Sequence, residues 1–218
     1  MLYLKKGIRV TNSLFLLMVL SIMGVFYFSF KDLFLKEEQQ FELAQQADFN
    51  KEYKKAEKYY LLAGRAKNNK NIQMLSYYYL GLLYKRKDTT ALQNFKKSEE
   101  YLIKSAELGL KQAQYELALL YDTGDKIKED RINALFWMEK AAEQNFAEAQ
   151  HALAVWTERG YYGKVDMPKA VMLYEKAANQ GYKPAQKGLA LIYKLGVEGV
   201  APDKEKADFW LKKVLKNK

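Results

Sequence analysis

Side chains that could perform acid–base or nucleophilic chemistry are few in this sequence. It contains one histidine, His151, and no cysteine. A Ser-His-Asp triad needs a histidine held by partners, and zinc sites need several Cys, His or carboxylate ligands. A lone histidine is far more often a surface residue than a base or a ligand. We therefore predict that the protein is not an enzyme and has no catalytic, metal-binding or cofactor-binding residues.

Two groups of carboxylates could in principle serve general acid–base catalysis or calcium binding. Glu99 and Glu100 are adjacent, and consecutive helical residues do not face each other, so we interpret them as part of a solvated helix face. The stretch from Asp122 to Asp125 lacks the spacing of an EF-hand and its closing glutamate, and we interpret it as a turn. No glycine-rich phosphate-binding loop occurs.

The sequence is basic, with 36 Lys and Arg against 26 Asp and Glu, a formal net charge of +10. The excess is spread along the chain and lysine dominates, without the arginine-rich block or basic stripe expected of a nucleic-acid-binding surface. We therefore expect no nucleic acid. A dispersed positive charge favours solubility and acidic protein partners.

Residues 10–30 contain no charged side chain and are long enough to span a membrane. At about 1.5 Å per residue, a helix of this length crosses a hydrocarbon core of roughly 30 Å. The residues before Gly24 and Ser29 do not form the small-x-small pattern that a signal peptidase needs. We therefore expect an uncleaved transmembrane signal anchor.

The charges that flank this span predict its orientation. Lys5, Lys6 and Arg9 precede it, whereas the first fifteen residues after it carry only two basic residues, Lys31 and Lys36. The positive-inside rule then places residues 1–9 in the cytoplasm as a short tail and residues 31–218 in the periplasm. Low arginine with high lysine and asparagine fits an AT-rich genome. We expect a single-pass protein of a bacterial inner membrane, with its C-terminal domain in the periplasm.

Internal repeats organise the rest of the chain. Residues 111–146, 147–182 and 183–218 align almost without gaps, and their openings read KQAQYELALLY, AEAQHALAVWT and KPAQKGLALIY. A more divergent copy occupies residues 72–110, and residues 31–71 hold a juxtamembrane helix and a plainer helical unit. A fixed period of this length is typical of a stacked-repeat architecture.

Each copy contains two helices with a loop between them. Ala113, Leu117, Leu120 and Tyr121 recur at the spacing of one helix face, and the second half of the repeat follows the same period. The loop carries a glycine suited to positive φ, at Gly124, Gly160 and Gly196. It ends on an aspartate placed to cap the second helix, at Asp130, Asp166 and Asp203. We expect four aromatic residues in the core: Tyr101, Trp137, Trp156 and Trp210.

This pattern resembles the Sel1-like repeat, a relative of the tetratricopeptide repeat. The match is most specific over residues 111–182, and the segment 31–71 is closer to a plain tetratricopeptide unit. Thr157 stands where the repeat has tyrosine, and Leu173 stands where it has tryptophan. The resemblance implies an all-α fold, a right-handed α-solenoid of Sel1/TPR-like helical hairpins, here preceded by one transmembrane helix.

In related solenoids the first helices line the concave face, so the variable positions of these helices are the expected partner-binding set. Tyrosine at such positions supplies contact area with a polar tip. We add two loop tyrosines after Gly160. The predicted partner-binding residues are Tyr77, Tyr78, Tyr79, Tyr115, Glu116, His151, Lys187, Tyr161 and Tyr162. The recurring Gln114, Gln150 and Gln186 are expected to be structural.

Two functions follow from these expectations. The first is a membrane-anchored, periplasm-facing scaffold or adaptor that binds the proteins of a bacterial envelope complex. The alternative is an immunity protein that binds and inhibits a secreted toxic effector, such as a phospholipase, in the periplasm.

Overall fold

The structure is a computed structural model that describes residues 35–86, 92–123 and 130–216. The predicted cytoplasmic tail and membrane span lie outside these residues, as do Gly124 and Asp125. Within the described ranges, no helix has both the length and the apolar composition that crossing a membrane requires.

The described regular structure is helical, apart from one isolated bridge between Val197 and Val200. The helices are α1 (Glu37–Phe49), α2 (Tyr53–Ala63), α3 (Lys70–Lys85), α4 (Phe95–Glu107), α5 (Lys111–Thr123), α6 (Arg131–Glu143), α7 (Ala147–Arg159), α8 (Met167–Asn179), α9 (Lys183–Leu195) and α10 (Lys204–Lys216). The chain divides into two compact units, Met1–Ile72 and Gln73–Lys218. The prediction of an all-helical repeat solenoid is confirmed.

The first unit contains the hairpin of α1 and α2. Alanines at the interface let the two helices approach closely, and Ala44, Ala56 and Ala63 are fully buried. The ring of Phe41 lies 5.9 Å from that of Tyr60, which completes a small aromatic and alanine core.

The second unit contains four hairpins, α3–α4, α5–α6, α7–α8 and α9–α10. The first is held by a close approach of Gly81 to Leu102, where a Cβ on the glycine would lie 2.7 Å from the leucine Cγ. The buried Ser98 hydroxyl donates to the Gly81 carbonyl at 2.8 Å, so the two helices are joined at this point. Alanine takes the Gly81 position in the next two hairpins, at Ala118 and Ala154, and both are fully buried.

The second helix of each of these hairpins begins at a capping side chain. Its oxygen accepts a hydrogen bond from the N–H three residues later, at 2.9–3.0 Å. The backbone N–H of the capping residue donates to a carbonyl in the last turn of the first helix. The caps are Asn94, Asp130, Asp166 and Asp203. The predicted role of the three aspartates is confirmed, and Asn94 extends it to the first hairpin.

Glycine ends the first helix of the third and fourth hairpins, as predicted. Gly160 is left-handed, with φ 65°. Gly196 has φ 71°, and a Cβ there would lie 2.7 Å from the ring of Pro202. Both turns therefore need a residue without a side chain.

The core is partly as predicted. Trp156 and Trp210 are buried, each with 6% of its surface exposed. Trp137 and Tyr101 are only half-buried, so the prediction for them is wrong. Met138, one residue after Trp137, takes the centre of the helix interface and is fully buried. Tyr101 instead stacks on Tyr84, with ring centroids 5.7 Å apart.

Asp122, Glu99 and Glu100 each have a partner within the fold. Asp122 belongs to the last turn of α5, not to a turn between helices, and accepts a hydrogen bond from the Tyr162 hydroxyl. Glu100 pairs with Lys104 at 2.6 Å on an exposed face. Glu99 is half-buried and accepts from the Tyr121 hydroxyl at 2.9 Å. Burial and this carboxylate raise the pKa of the Tyr121 phenol.

Candidate protein-binding surface

A row of glutamines sets the orientation of the first helices. The side-chain amides of Gln114, Gln150 and Gln186 each donate to a backbone carbonyl eight residues earlier, at 3.0–3.1 Å. The oxygens of Gln114 and Gln150 accept from Gln144 and Gln180, both at 2.7 Å. All three glutamines are buried. Their predicted structural role is confirmed, since the bonds to the carbonyls join the end of one hairpin to the start of the next and the bonds between glutamines join the two helices of one hairpin.

The residue after each glutamine is turned away from this interior by the helical rotation of about 100° per residue. The ring of Tyr115 meets the ring of Phe146 edge to face, with centroids 5.4 Å apart. One repeat later, the imidazole of His151 meets Tyr182 in the same manner, at 5.2 Å. Each pair joins a first helix to the residue that precedes the next first helix, so the contact crosses the boundary between hairpins.

Tyr78 on α3 is the preceding member of this series and is half-buried. Its ring packs edge to face on Tyr79 at 5.4 Å. The Glu116 carboxylate, which pairs with Lys85 at 2.7 Å, lies close enough to act on the Tyr78 phenol. We name Tyr78, Tyr115, Phe146, His151 and Tyr182 the aromatic strip.

The strip is uncharged at neutral pH. Burial, assisted by Glu116 and Tyr79, raises the pKa of Tyr78 to about 12. Burial is also the main cause that raises the pKa of Tyr115 and of Tyr182, with Glu148 adding to both.

Burial lowers the pKa of His151, and Glu158 opposes this only in part. Neutral phenols and a neutral imidazole present apolar rings with hydrogen-bonding tips, the chemistry that favours protein contacts.

The structure brings together Tyr78, Tyr79, Tyr115, Glu116 and His151 of the predicted set. Two residues of the strip, Phe146 and Tyr182, were not predicted. Both directly precede a first helix, at the position that Leu110 occupies before α5. The recurrence of a large apolar residue at this position was the signal that could have identified them.

The other predicted residues lie apart from the strip. Tyr77 packs on Tyr101 at 6.0 Å, in the interior of its own hairpin. Lys187 is exposed and lines a surface pocket of about 730 Å³ between α9 and α10. Tyr161 is half exposed and its oxygen accepts from Arg159 at 2.9 Å. Tyr162 packs on Trp156, with ring centroids 4.5 Å apart.

Comparison with solved structures places this arrangement among known proteins. A protective antigen present in uropathogenic Escherichia coli strains, which displays an SLR fold, is 29% identical over 84% of this chain, with a TM-score of 0.70. This chain spans 38% of that protein. A Sel1 repeat protein from Oxalobacter formigenes is 28% identical, with a TM-score of 0.72, over 84% of this chain and 73% of that one. No curated protein matches the sequence significantly.

The family model of the Sel1 repeat matches five segments of the sequence: residues 41–68, 75–110, 111–146, 147–182 and 183–213. The first segment lies within the unit predicted to be closer to a plain tetratricopeptide repeat, so the Sel1 pattern extends to it. Because the matched segments cover more than half of its length, the chain belongs to the family of Sel1 repeat proteins.

Proposed function

We propose that this protein is a membrane-anchored adaptor of a bacterial envelope complex and that it binds a protein partner through the aromatic strip. Sel1 repeats mediate protein–protein interaction, and proteins built from them are generally non-catalytic scaffolds. Residues 10–30 hold it in the inner membrane, and residues 31–218 face the periplasm.

The observation that carries this proposal is the continuity of the strip across successive hairpins. Tyr78, Tyr115 and His151 each lie on a different first helix, and the contacts to Phe146 and Tyr182 carry the strip across two hairpin boundaries. Half-buried aromatic residues with polar tips are enriched at the centres of interfaces, because they bury a large area and lose little side-chain entropy.

Site-specific photo-crosslinking in intact cells tests the surface. A photoreactive amino acid at position 115 should capture a protein partner, whereas the same amino acid at the exposed Lys176 of α8 should not. Tyr182→Ala in the first variant should reduce the captured amount, because it removes the next aromatic group of the strip. Equal capture from positions 115 and 176 would contradict the assignment of the surface.

The identity of the captured protein separates the two functional hypotheses. Several resident envelope proteins would support the adaptor, whereas one secreted toxin in near-equal amount would mean that the chain is an immunity protein.

The absence of native cysteine allows a direct test of topology. Single-cysteine variants Lys5→Cys and Lys187→Cys are treated with a membrane-impermeant maleimide in cells whose outer membrane is permeabilised. The proposal expects modification at position 187 and none at position 5 until the inner membrane is lysed. The reverse pattern would contradict a periplasmic solenoid.

A further inference from the structure

A tyrosine lies in the last turn of the first helix in three of the four hairpins of the second unit, and neighbouring side chains contact its ring. In the fourth hairpin the Tyr193 hydroxyl donates to Glu175 of the preceding hairpin at 2.8 Å. The ammonium of Lys206 lies 4.9 Å from the centre of the same ring. In the first hairpin Lys97 lies over Tyr84 at the same distance. Each lysine is the third residue after the capping residue of its second helix.

The third hairpin has the equivalent glutamate and lysine around this position, but it has no tyrosine there. Glu139 takes the repeat position of Glu175, and Lys169 takes that of Lys206. Thr157 stands in place of the tyrosine, and its short side chain donates to its own helix, at the Leu153 carbonyl, 2.8 Å away.

A pocket of about 230 Å³ is present where the phenol would lie. Its lining includes Glu139, Thr157 and Lys169. It is several times larger than the space of about 30 Å³ that one water molecule takes in the liquid.

The walls of the pocket suit a flat ring. Trp156 and Tyr162 pack on each other along one side, with ring centroids 4.5 Å apart, and both line the pocket. Leu135 and Leu153 supply apolar surface beneath them. An aromatic ring gains from edge-to-face contact with such neighbours and from a cation over its face.

The polar groups define which ring fits. Across residues 35–86, 92–123 and 130–216, the Glu139 carboxylate makes no hydrogen bond or ion pair, so it can accept one from a ligand. The lining carries two carboxylates, Glu139 and Asp166, and two ammonium groups, Lys164 and Lys169, so its formal charges balance and favour a neutral ligand. A neutral ring with one hydroxyl meets no charge repulsion and can donate a hydrogen bond to Glu139.

We propose that this pocket binds the phenol side chain of a tyrosine from a protein partner. The phenol donates to Glu139, lies beneath Lys169 and packs on Trp156, as Tyr193 does with Glu175 and Lys206 one repeat later. The inference depends on the proposed scaffold function only in assigning the tyrosine to a protein, and the pocket shares no lining residue with the aromatic strip.

Binding of a tyrosine analogue to the full-length protein tests the pocket directly. N-acetyltyrosinamide is titrated while the indole N–H signal of Trp156 is followed by NMR, and N-acetylphenylalaninamide serves as the probe without the hydroxyl. We expect a saturable shift with the tyrosine analogue and about tenfold weaker binding of the phenylalanine analogue, because one charge-assisted hydrogen bond is lost.

Two variants make the outcome specific. Thr157→Tyr should fill the pocket with its own ring and abolish the shift, and Glu139→Ala, at an exposed side chain, should weaken binding by about tenfold without unfolding the protein. An unchanged Trp156 signal in the wild type would overturn the inference, as would equal binding of the two analogues or undiminished binding by folded Thr157→Tyr.

The binding test of the pocket and the crosslinking test of the aromatic strip have independent outcomes. Crosslinking from position 115 reports on the aromatic strip and does not depend on the pocket. Capture there, together with no binding of N-acetyltyrosinamide, would remove the pocket alone. Binding of the analogue with no partner captured at the strip would instead retain the pocket and remove the strip as the partner-binding surface.

Discussion

Two neighbouring positions of the first helices behave in opposite ways from one hairpin to the next. The glutamine position keeps its residue type, its burial and its bond to the same backbone carbonyl in three successive hairpins. The next position carries tyrosine, then histidine, then lysine, and the first two are half-buried whereas the lysine is exposed. The members of the two positions are Gln114, Gln150 and Gln186, and Tyr115, His151 and Lys187.

The difference separates architecture from recognition within one helix. A buried glutamine side chain joins two hairpins by a hydrogen bond to a carbonyl of the preceding one, so a change there affects the stacking of the repeats. A side chain one residue later contacts the next hairpin through an aromatic edge and keeps part of its surface free. Its type can therefore change with the partner while the fold remains the same.

The largest expected effect is on stability, from Gln150→Leu. This substitution keeps a similar volume but removes the side-chain donor to the Ala142 carbonyl, which retains the bond from the Asn145 N–H, and removes the acceptor of Gln180. We expect the free energy of unfolding to fall by about 2 kcal/mol, since each of the two lost hydrogen bonds contributes about 1 kcal/mol. Urea denaturation measures it.

Gln186→Leu is the matched control, because Gln186 has the bond to the Ala178 carbonyl but its oxygen has no partner among the described residues. It should therefore cost less than Gln150→Leu. His151→Ala, one position along the helix, should lower the free energy of unfolding less than either glutamine substitution. A loss for His151→Ala as large as that for Gln150→Leu would remove the distinction between the two positions.

Two glycine-to-alanine variants, Gly81→Ala and Gly188→Ala, compare the constant interior with the variable face, since each adds a single methyl group. A methyl group on Gly81 would lie 2.7 Å from Leu102, whereas on Gly188 it would meet Tyr174 only at 3.8 Å. Overpacking outweighs the gain in helix propensity at position 81, so Gly81→Ala should destabilise by about 1–2 kcal/mol.

Gly188→Ala lacks the clash and should stabilise by up to about 1 kcal/mol. Thermal unfolding of both variants measures the sign of each change in stability. Equal stabilisation by both would mean that Leu102 moves aside without cost.

The helix caps are expected to contribute less. Asp166→Ala removes the side-chain acceptor for the Lys169 N–H and should cost about 1 kcal/mol. Asp166→Asn keeps an acceptor of the same length and should be nearly neutral, since Asn94 caps α4 at 3.0 Å in the first hairpin. Urea denaturation of both variants would contradict this if asparagine cost as much as alanine.

The sequence was sufficient for features that depend on local spacing. The repeats, the aspartate caps and the glycine at position 160 follow from neighbours within one hairpin. The pattern could not separate Trp137 from Met138, because residues at i+3 and i+4 share one helix face and the crossing of the helices decides which is central.

The contacts of the strip depend on the stacking of hairpins. His151 meets Tyr182, 31 residues away in the sequence, only because one hairpin is placed beside the next. The pocket beside Thr157 required the same comparison between hairpins. The threonine was visible in the sequence as a departure from the repeat, but the geometry that keeps Glu139 and Lys169 in place around it was not.

The smallest expected effect concerns the ionisation of His151. Burial beside Tyr174 and Tyr182 lowers its pKa below the ordinary value of 6.5, although Glu158 acts in the opposite direction. A proton therefore binds more tightly to the unfolded chain than to the folded one. The stabilisation from the neutral imidazole is fully present above pH 6.5 and is lost as the pH falls through the folded-state pKa.

Because His151 is the only histidine, its imidazole signal in an NMR titration reports the folded-state pKa without ambiguity. We expect a midpoint below 6.5 and, in urea denaturation, a modest fall in stability between pH 7 and pH 5 that is reduced in His151→Gln. Binding of a partner over the strip would bury the imidazole further and lower the midpoint again, which links this measurement to the crosslinking experiment. A midpoint above 6.5 would mean that Glu158 outweighs burial, and the strip would then carry positive charge at neutral pH.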